Sequence, residues 1–263
     1  MLETFYYETD RNVRGTLVFV ALVSVYTAFI VALFPSIEAA GVDIDQVVEA
    51  YPEAVRQAMG VQSMSTIEGF LATQIYTFIW VLLMGLYFAY RSAGLVADDV
   101  ERDRMDLLLS LPISRSRLVL EKFASVLVPI VALNVGVGAV IYAVGFAIGE
   151  SIDLLDMTMV HLLSIPYLLA CAGIGLVLST AVDRADVAQR VAIGIVFALY
   201  LVETIAASTD GFEPLQYVSP THYYDPTAIL LEESYAYGDT LVLLAVTALL
   251  VVAAQFVFQR RDI

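Results

Sequence analysis

The stretch IEGFLATQIYTFIWVLLMGLYFAY, Ile67 to Tyr90, carries no charged side chain after Glu68. A helix needs roughly 20 apolar residues to cross a hydrocarbon core about 30 Å thick, so this run is long enough to span. It leads directly into RSAGLVADDVERDRMDLLLSLPISRSRLVLEK, Arg91 to Lys122, which holds six of the chain's 13 basic residues. Apolar sequence then resumes at Phe123. Working outward, comparable runs cover Gly15–Phe34, Phe123–Gly149, Met157–Val182, Val191–Ser208 and Thr240–Phe258. The whole chain of 263 residues is 60% hydrophobic, with a mean hydropathy of +0.81. Only helices and closed barrels satisfy their backbone in lipid, and these runs are too long for barrel strands. The expectation is an all-α integral membrane protein with six transmembrane helices in a single domain, residues 1–263.

Basic residues set the orientation. Arg11 and Arg14 precede the first run. Arg184 and Arg190 lie between the fourth and fifth, and Arg260 and Arg261 follow the sixth. Together with the six in Arg91–Lys122, all but Arg56 fall on one side. Both termini are therefore expected in the cytoplasm, with residues 35–66 and 209–239 outside and the chain in the cell membrane. The first run shows no small-residue cleavage site before Pro35, so it reads as a retained span. The lone Cys171, inside an apolar run, reads as packing and cannot form a disulfide within the chain.

The net charge is −15, with one lysine. Acidic residues dominate the outer segments, from Glu38 and Asp43 to Glu233 and Asp239. Such a surface repels phosphate and argues against nucleic acid as a partner. It fits a halophilic source; plain solubility charge and a cation-attracting vestibule are the alternatives. Of the outer segments, Gly41–Gly60 places Ile44, Val47, Val48, Tyr51 and Val55 at helical spacing, with Pro52 starting a second short helix. Thr209–Tyr237 is expected to hold a short helix around Thr227–Glu233.

Several chemistries are excluded by residue type. A P-loop needs Gly-Lys, and the only lysine follows Glu121. His161 and His222 stand in no metal-binding pattern, and one cysteine makes no thiolate site. His161 is read as an interface residue at the outer mouth of the fourth span rather than half of a Ser–His pair.

The segment 91–122 is the candidate functional element. Asp98, with Glu101 three residues on, can cap a helix, and the acidic cluster suits a helix N-terminus. Leu107, Leu108, Leu109 and Leu111 give that helix an apolar side, and Pro112 stops it. Ser114 can cap the helix that enters the third span. A helix flat on the bilayer is the plainer reading, but the acidic run Asp98–Asp106 disfavours anionic headgroups and favours a protein partner. Within the spans, Glu203 lies about 18 Å along the fifth span, where a carboxylate is costly and marks a candidate pathway site, unless it faces an outer vestibule. Asn134, beside Gly136 and Gly138, and Gln74 are candidates of the same kind, with helix–helix packing as the alternative.

The run from Glu101 through Leu107-Leu-Leu-Ser-Leu-Pro112-Ile-Ser-Arg115, then Glu121-Lys122-Phe123, resembles the cytoplasmic loop of six-span ABC transporter permease subunits. Within these it is similar to the type V exporter class, which includes the permease of the nitrous-oxide reductase maturation system. Tyr217-Val-Ser-Pro220-Thr-His-Tyr-Tyr-Asp-Pro226 and the tail Gln259-Arg-Arg-Asp-Ile263 resemble the family's last outer segment and ending. One departure is Arg104-Met105, where members often carry a glycine. The resemblance implies a coupling helix that docks a separate P-loop ATPase through Asp98, Glu101, Asp106, Leu108, Leu109, Pro112 and Arg115. It implies ATP and Mg on that partner, no cofactor or metal on this chain, and a dimer of identical or paralogous permeases. It also implies an N-terminal amphipathic helix, for which Leu2, Phe5, Tyr6 and Val13 form the apolar face, with Glu8 and Arg11 pointing away. The alternative is a non-transporting membrane anchor that docks a cytoplasmic partner through residues 98–115.

Overall fold

The computed structural model describes residues 3–39, 65–110, 112–207, 209 and 211–261. The expected outer segment Gly41–Gly60 and residues Leu2 and Leu111 lie outside the described residues. The described residues form helices and no strands, and six helices are long and apolar enough to cross a membrane. The first is Glu3–Ala39. The second runs through Ile67–Leu71, Ala72–Met84 and Gly85–Ala93, with the middle segment π-helical. The third joins Arg115–Ala124 to Leu127–Ile148, and the fourth, fifth and sixth are Leu154–Ala181, Ala185–Ala207 and Tyr237–Gln259. The helices overrun the apolar runs because polar ends prolong them beyond the stretch that hydropathy marks. The first span, with 37 residues, is about 55 Å long.

The second and fourth spans form the centre. Tyr76, Trp80, Phe88 and Tyr167 are fully enclosed there. The two helices approach through small residues: a Cβ added to Gly175 would sit 2.1 Å from the Ala89 carbonyl oxygen. The sixth span packs along the fourth, where Gly173 faces Leu250. The fifth lies against the second and fourth, and the first packs along the third, where Gly136 faces Val20. The first span leaves Leu17, Leu22, Val25 and Phe29 exposed, as a helix at the edge of a bundle in lipid does.

Two expectations about the polar end change. The N-terminal stretch is no separate helix but the unbroken start of the first span. Its faces also differ: Glu8 and Thr4 are buried, while Tyr6 and Val13 are exposed; Arg11 is exposed as expected. The cause is a cation, Lys122, on the inner side. The segment after the second span forms two short helices, Ala97–Glu101 and Met105–Leu109, rather than one. The break falls at Asp103, whose φ of 54° is left-handed, a conformation Asp tolerates better than most residues. Asp98 does not cap the first of these helices. Ser179 Oγ of the fourth span accepts from Val96 N at 2.8 Å and Ala97 N at 3.1 Å instead. Ser114 does cap the helix into the third span, accepting from Arg117 N.

At the opposite end, Pro226–Glu232 forms the short helix expected near Thr227, with Asp225 accepting from Thr227 N and Ala228 N. It wedges against the second and fourth spans and buries Ile229 and Leu230. The Tyr235 hydroxyl donates to Asp156 at 2.5 Å, and this bond to a carboxylate pushes its pKa up to about 12.

Candidate coupling site

Four pieces of chain meet at the end that carries the termini: the start of the first span, the insert between the second and third spans, the fourth-to-fifth connection and the C-terminal tail. Lys122, with 0% exposure, joins the first two of these. Its ammonium donates to Glu8 of the first span and, at 2.5 Å, to Asp99 of the insert. Arg104 bridges Asp99 at 2.8 Å and Asp98 at 2.6 Å. Arg11 reaches Glu8, Asp98 and Asp99, and Arg102 pairs with Asp98 at 2.8 Å. Glu121 accepts from Thr4 N and pairs with Arg117. A buried charge persists only when paired and hydrogen-bonded, and here each is.

The tail is bound into the same end. Arg115 donates to the carbonyls of Arg261, at 2.5 Å, and Phe258. Arg261 donates to Thr180 O and pairs with Asp183, while Gln255 and Gln259 hold Ser116. Glu101 accepts from Ala185 N, the first residue of the fifth span, at 2.8 Å. Of the residues singled out from sequence, Asp98, Glu101 and Arg115 thus engage other parts of the chain. Leu108 and Leu109 are half-buried against the core. Asp106 and Pro112 are exposed, and between them lies Leu107, 72% exposed. Sequence reasoning placed Leu107 on the helix's apolar side without singling it out. It also named Glu8 and Lys122 without pairing them, although a single lysine in an acidic chain was a usable signal.

The intramembrane candidates separate in space. Asn134 is buried and accepts from Ser164 Oγ at 2.8 Å. Its Oδ1 also lies 3.0 Å from His161 Nδ1, so it ties the third span to the fourth. His161 is not an exposed interface residue. It is buried, with Nε2 2.9 Å from the Tyr76 hydroxyl and its ring edge-on to Trp80. A groove of about 570 Å³ runs between these two spans, bounded by Val135, Gly138, Tyr142, Leu154 and Leu162, with His161 and Asn134 in its lining. Gln74 is half-buried in the π-helical stretch. Glu203 is half-buried one turn before the fifth span ends, on a different helix from all of these. Among the described residues, no group of three or more His, Cys, Asp or Glu could hold a metal ion.

A bundle of six spans, with a braced polar insert after the second, now stands beside a family comparison. The family profile described as ABC-2 family transporter protein matches residues 9–263. The chain belongs to this family. Comparison with curated proteins gives no significant match. As an ABC-2 family membrane protein it is a multi-pass permease subunit of an ABC transporter, and such a permease works with a partner ATPase subunit. In this ABC-2 permease, the network around Lys122 locks the insert to the first and third spans, and Glu101 ties it to the fifth.

Proposed function

We propose that this permease serves an ATP-driven exporter of the type V class, with its termini and insert in the cytoplasm of the cell membrane. A separate P-loop ATPase, which carries the ATP and Mg, docks on the insert. The observation that carries this reading is Leu107, exposed on a short helix where Met105 is buried and Leu108 and Leu109 are half-buried, with Asp98, Asp99 and Arg104 paired behind it. An exposed leucine with polar neighbours can serve as an aliphatic anchor in a pocket on a partner. Asp106 and Pro112 flank it, while Leu108 and Leu109 support it from within. Two permeases and two ATPases form the working unit. ATP-driven closure of the ATPases displaces both inserts, and stiff helices carry the displacement to the far end.

The test is affinity purification of the tagged chain from its own membranes in gentle detergent, with mass spectrometry of what accompanies it. Stoichiometric recovery of a P-loop ATPase is expected. Leu107→Asp should reduce that recovery at least tenfold while leaving the melting temperature of the permease unchanged, because the side chain already lies in water. Undiminished recovery would remove the tip from the docking surface.

Glu203 is the pathway candidate, since an ionisable side chain within a membrane span is by default functional. Glu203→Gln keeps its size and removes its titration. The reconstituted complex is expected to show a flattened pH profile of stimulated ATP hydrolysis. A profile that overlays the wild type would exclude Glu203 from the pathway.

A further inference from the structure

We infer that Glu101 is a positioning residue that joins the insert to the fifth span, so that displacement of the insert swings that span as a rod. The inference rests on the ATPase-coupled reading above and assigns the joint within it. The short helix Ala97–Glu101 is fixed at both ends by different spans. At its start, two backbone N–H groups, of Val96 and Ala97, converge on Ser179 near the end of the fourth span. At its end, the Glu101 carboxylate accepts from Ala185 N at the start of the fifth. The N-terminus of a 23-residue helix carries partial positive charge and unsatisfied N–H groups, so a carboxylate there is both a cap and a counter-charge. The basic residues at this end, Arg184 just before the span and Arg190 within it, both pair with Asp186. A second contact lies close by: a Cβ on Gly94 would meet the Gln189 amide at 2.8 Å, so the missing side chain lets the fifth span sit against the turn that opens the insert.

The fifth span is suited to move. Val191, Phe197, Leu201 and Ile205 are exposed along its length, and few of its residues are buried. It buries far fewer of its residues than the fourth span, which is enclosed for most of its length. From Ala185 to Glu203 is 18 residues, about 27 Å of helix. A pull on one end therefore arrives at the other, beside Glu203, without any change within the helix.

The experiment uses the purified permease–ATPase complex. Spin labels are placed at Leu201→Cys in the fifth span and Leu249→Cys in the sixth, both exposed on the bundle surface. The change in label distance on nucleotide trapping is then read by pulsed electron resonance. Glu101→Ala is expected to keep the ATPase at the wild-type ratio, while the distance change falls to less than a quarter of wild type. Glu101→Gln, whose amide oxygen accepts the same N–H, should restore most of it, which loss of fold in the alanine variant would not mimic. A full distance change in Glu101→Ala overturns the joint, as does a glutamine variant as impaired as the alanine one. Loss of the ATPase from Glu101→Ala makes Glu101 a docking contact instead. Absence of any ATPase from the wild-type preparation overturns the coupled reading itself.

Discussion

Lys122→Met should lower the melting temperature of the purified permease by on the order of 10 °C. The ammonium is fully enclosed and bonded to two carboxylates from segments far apart in sequence, Glu8 and Asp99. Removing one partner of a buried ion pair costs about 3–5 kcal/mol, because the remaining charge keeps its desolvation penalty without its compensation. The two carboxylates are not equally exposed to that loss. Asp99 retains Arg104 at 2.8 Å, whereas Glu8 retains only Arg11, at 3.9 Å. The double variant Glu8→Gln/Lys122→Met is therefore expected to recover a large part of the lost stability, since it removes the orphaned charge as well. The check is thermal unfolding of the single and double variants in one detergent. A single variant that melts within a degree or two of wild type, or a double that melts lower still, would show that the cluster is not what holds the insert.

The same cluster shows where the sequence was legible and where it was not. Span existence depends on local composition, so all six helices could be read as apolar runs, and the Ser114 cap and the helix after Asp225-Pro226 follow from residues within a few positions of each other. The direction in which Glu8 points does not. Read on its own helix, an acidic side chain belongs on the water side. Its inward placement is decided by Lys122, 114 residues later. His161 is a parallel case: near the start of an apolar run it reads as an interface residue, until Tyr76, Trp80 and Asn134 from two other spans enclose it.

The insert failed for a related reason. Asp98 and Glu101 form a plausible capping pair by spacing, and a leucine run followed by proline suggests one continuous helix. In the fold, the helix starts a few residues earlier, with Val96 N and Ala97 N held by Ser179, so Val100 N, which Asp98 would have capped, bonds to Val96 O; Asp98 goes to three arginines, and Glu101 accepts from Ala185 N. The helix then breaks at Asp103. Local patterns specify a segment only where no distant group competes for the same donors. An insert gripped by several spans, as this one is, is the place where such competition is greatest.

Gly175→Val is expected to abolish recovery of monodisperse permease. The second and fourth spans meet along two lines of small residues at i, i+4 spacing: Gly85, Ala89 and Ala93 on one helix, Cys171, Gly175 and Ser179 on the other. Without a hydrophobic drive between helices in lipid, such close approach supplies the packing that holds spans together. At Gly175 the approach is closest. Even a methyl group would lie 2.1 Å from Ala89 O and 2.9 Å from Ala93 N, and both are backbone atoms that cannot rotate aside. The helices would have to separate. That would loosen the enclosure of Tyr76, Trp80 and Tyr167 and draw Ser179 away from Val96 and Ala97, so the insert would lose its anchor as well. Overpacking a core costs about 1–3 kcal/mol where side chains can yield, and more is expected where only backbone can. Gly194 in the fifth span is the matched control. Nothing lies within 4 Å of its added Cβ, so Gly194→Ala should melt at or above the wild-type temperature. Size-exclusion profiles and melting curves of the two variants decide the matter. A Gly175→Val protein that elutes and melts like wild type would mean that the crossing of the second and fourth spans is not the axis of the fold.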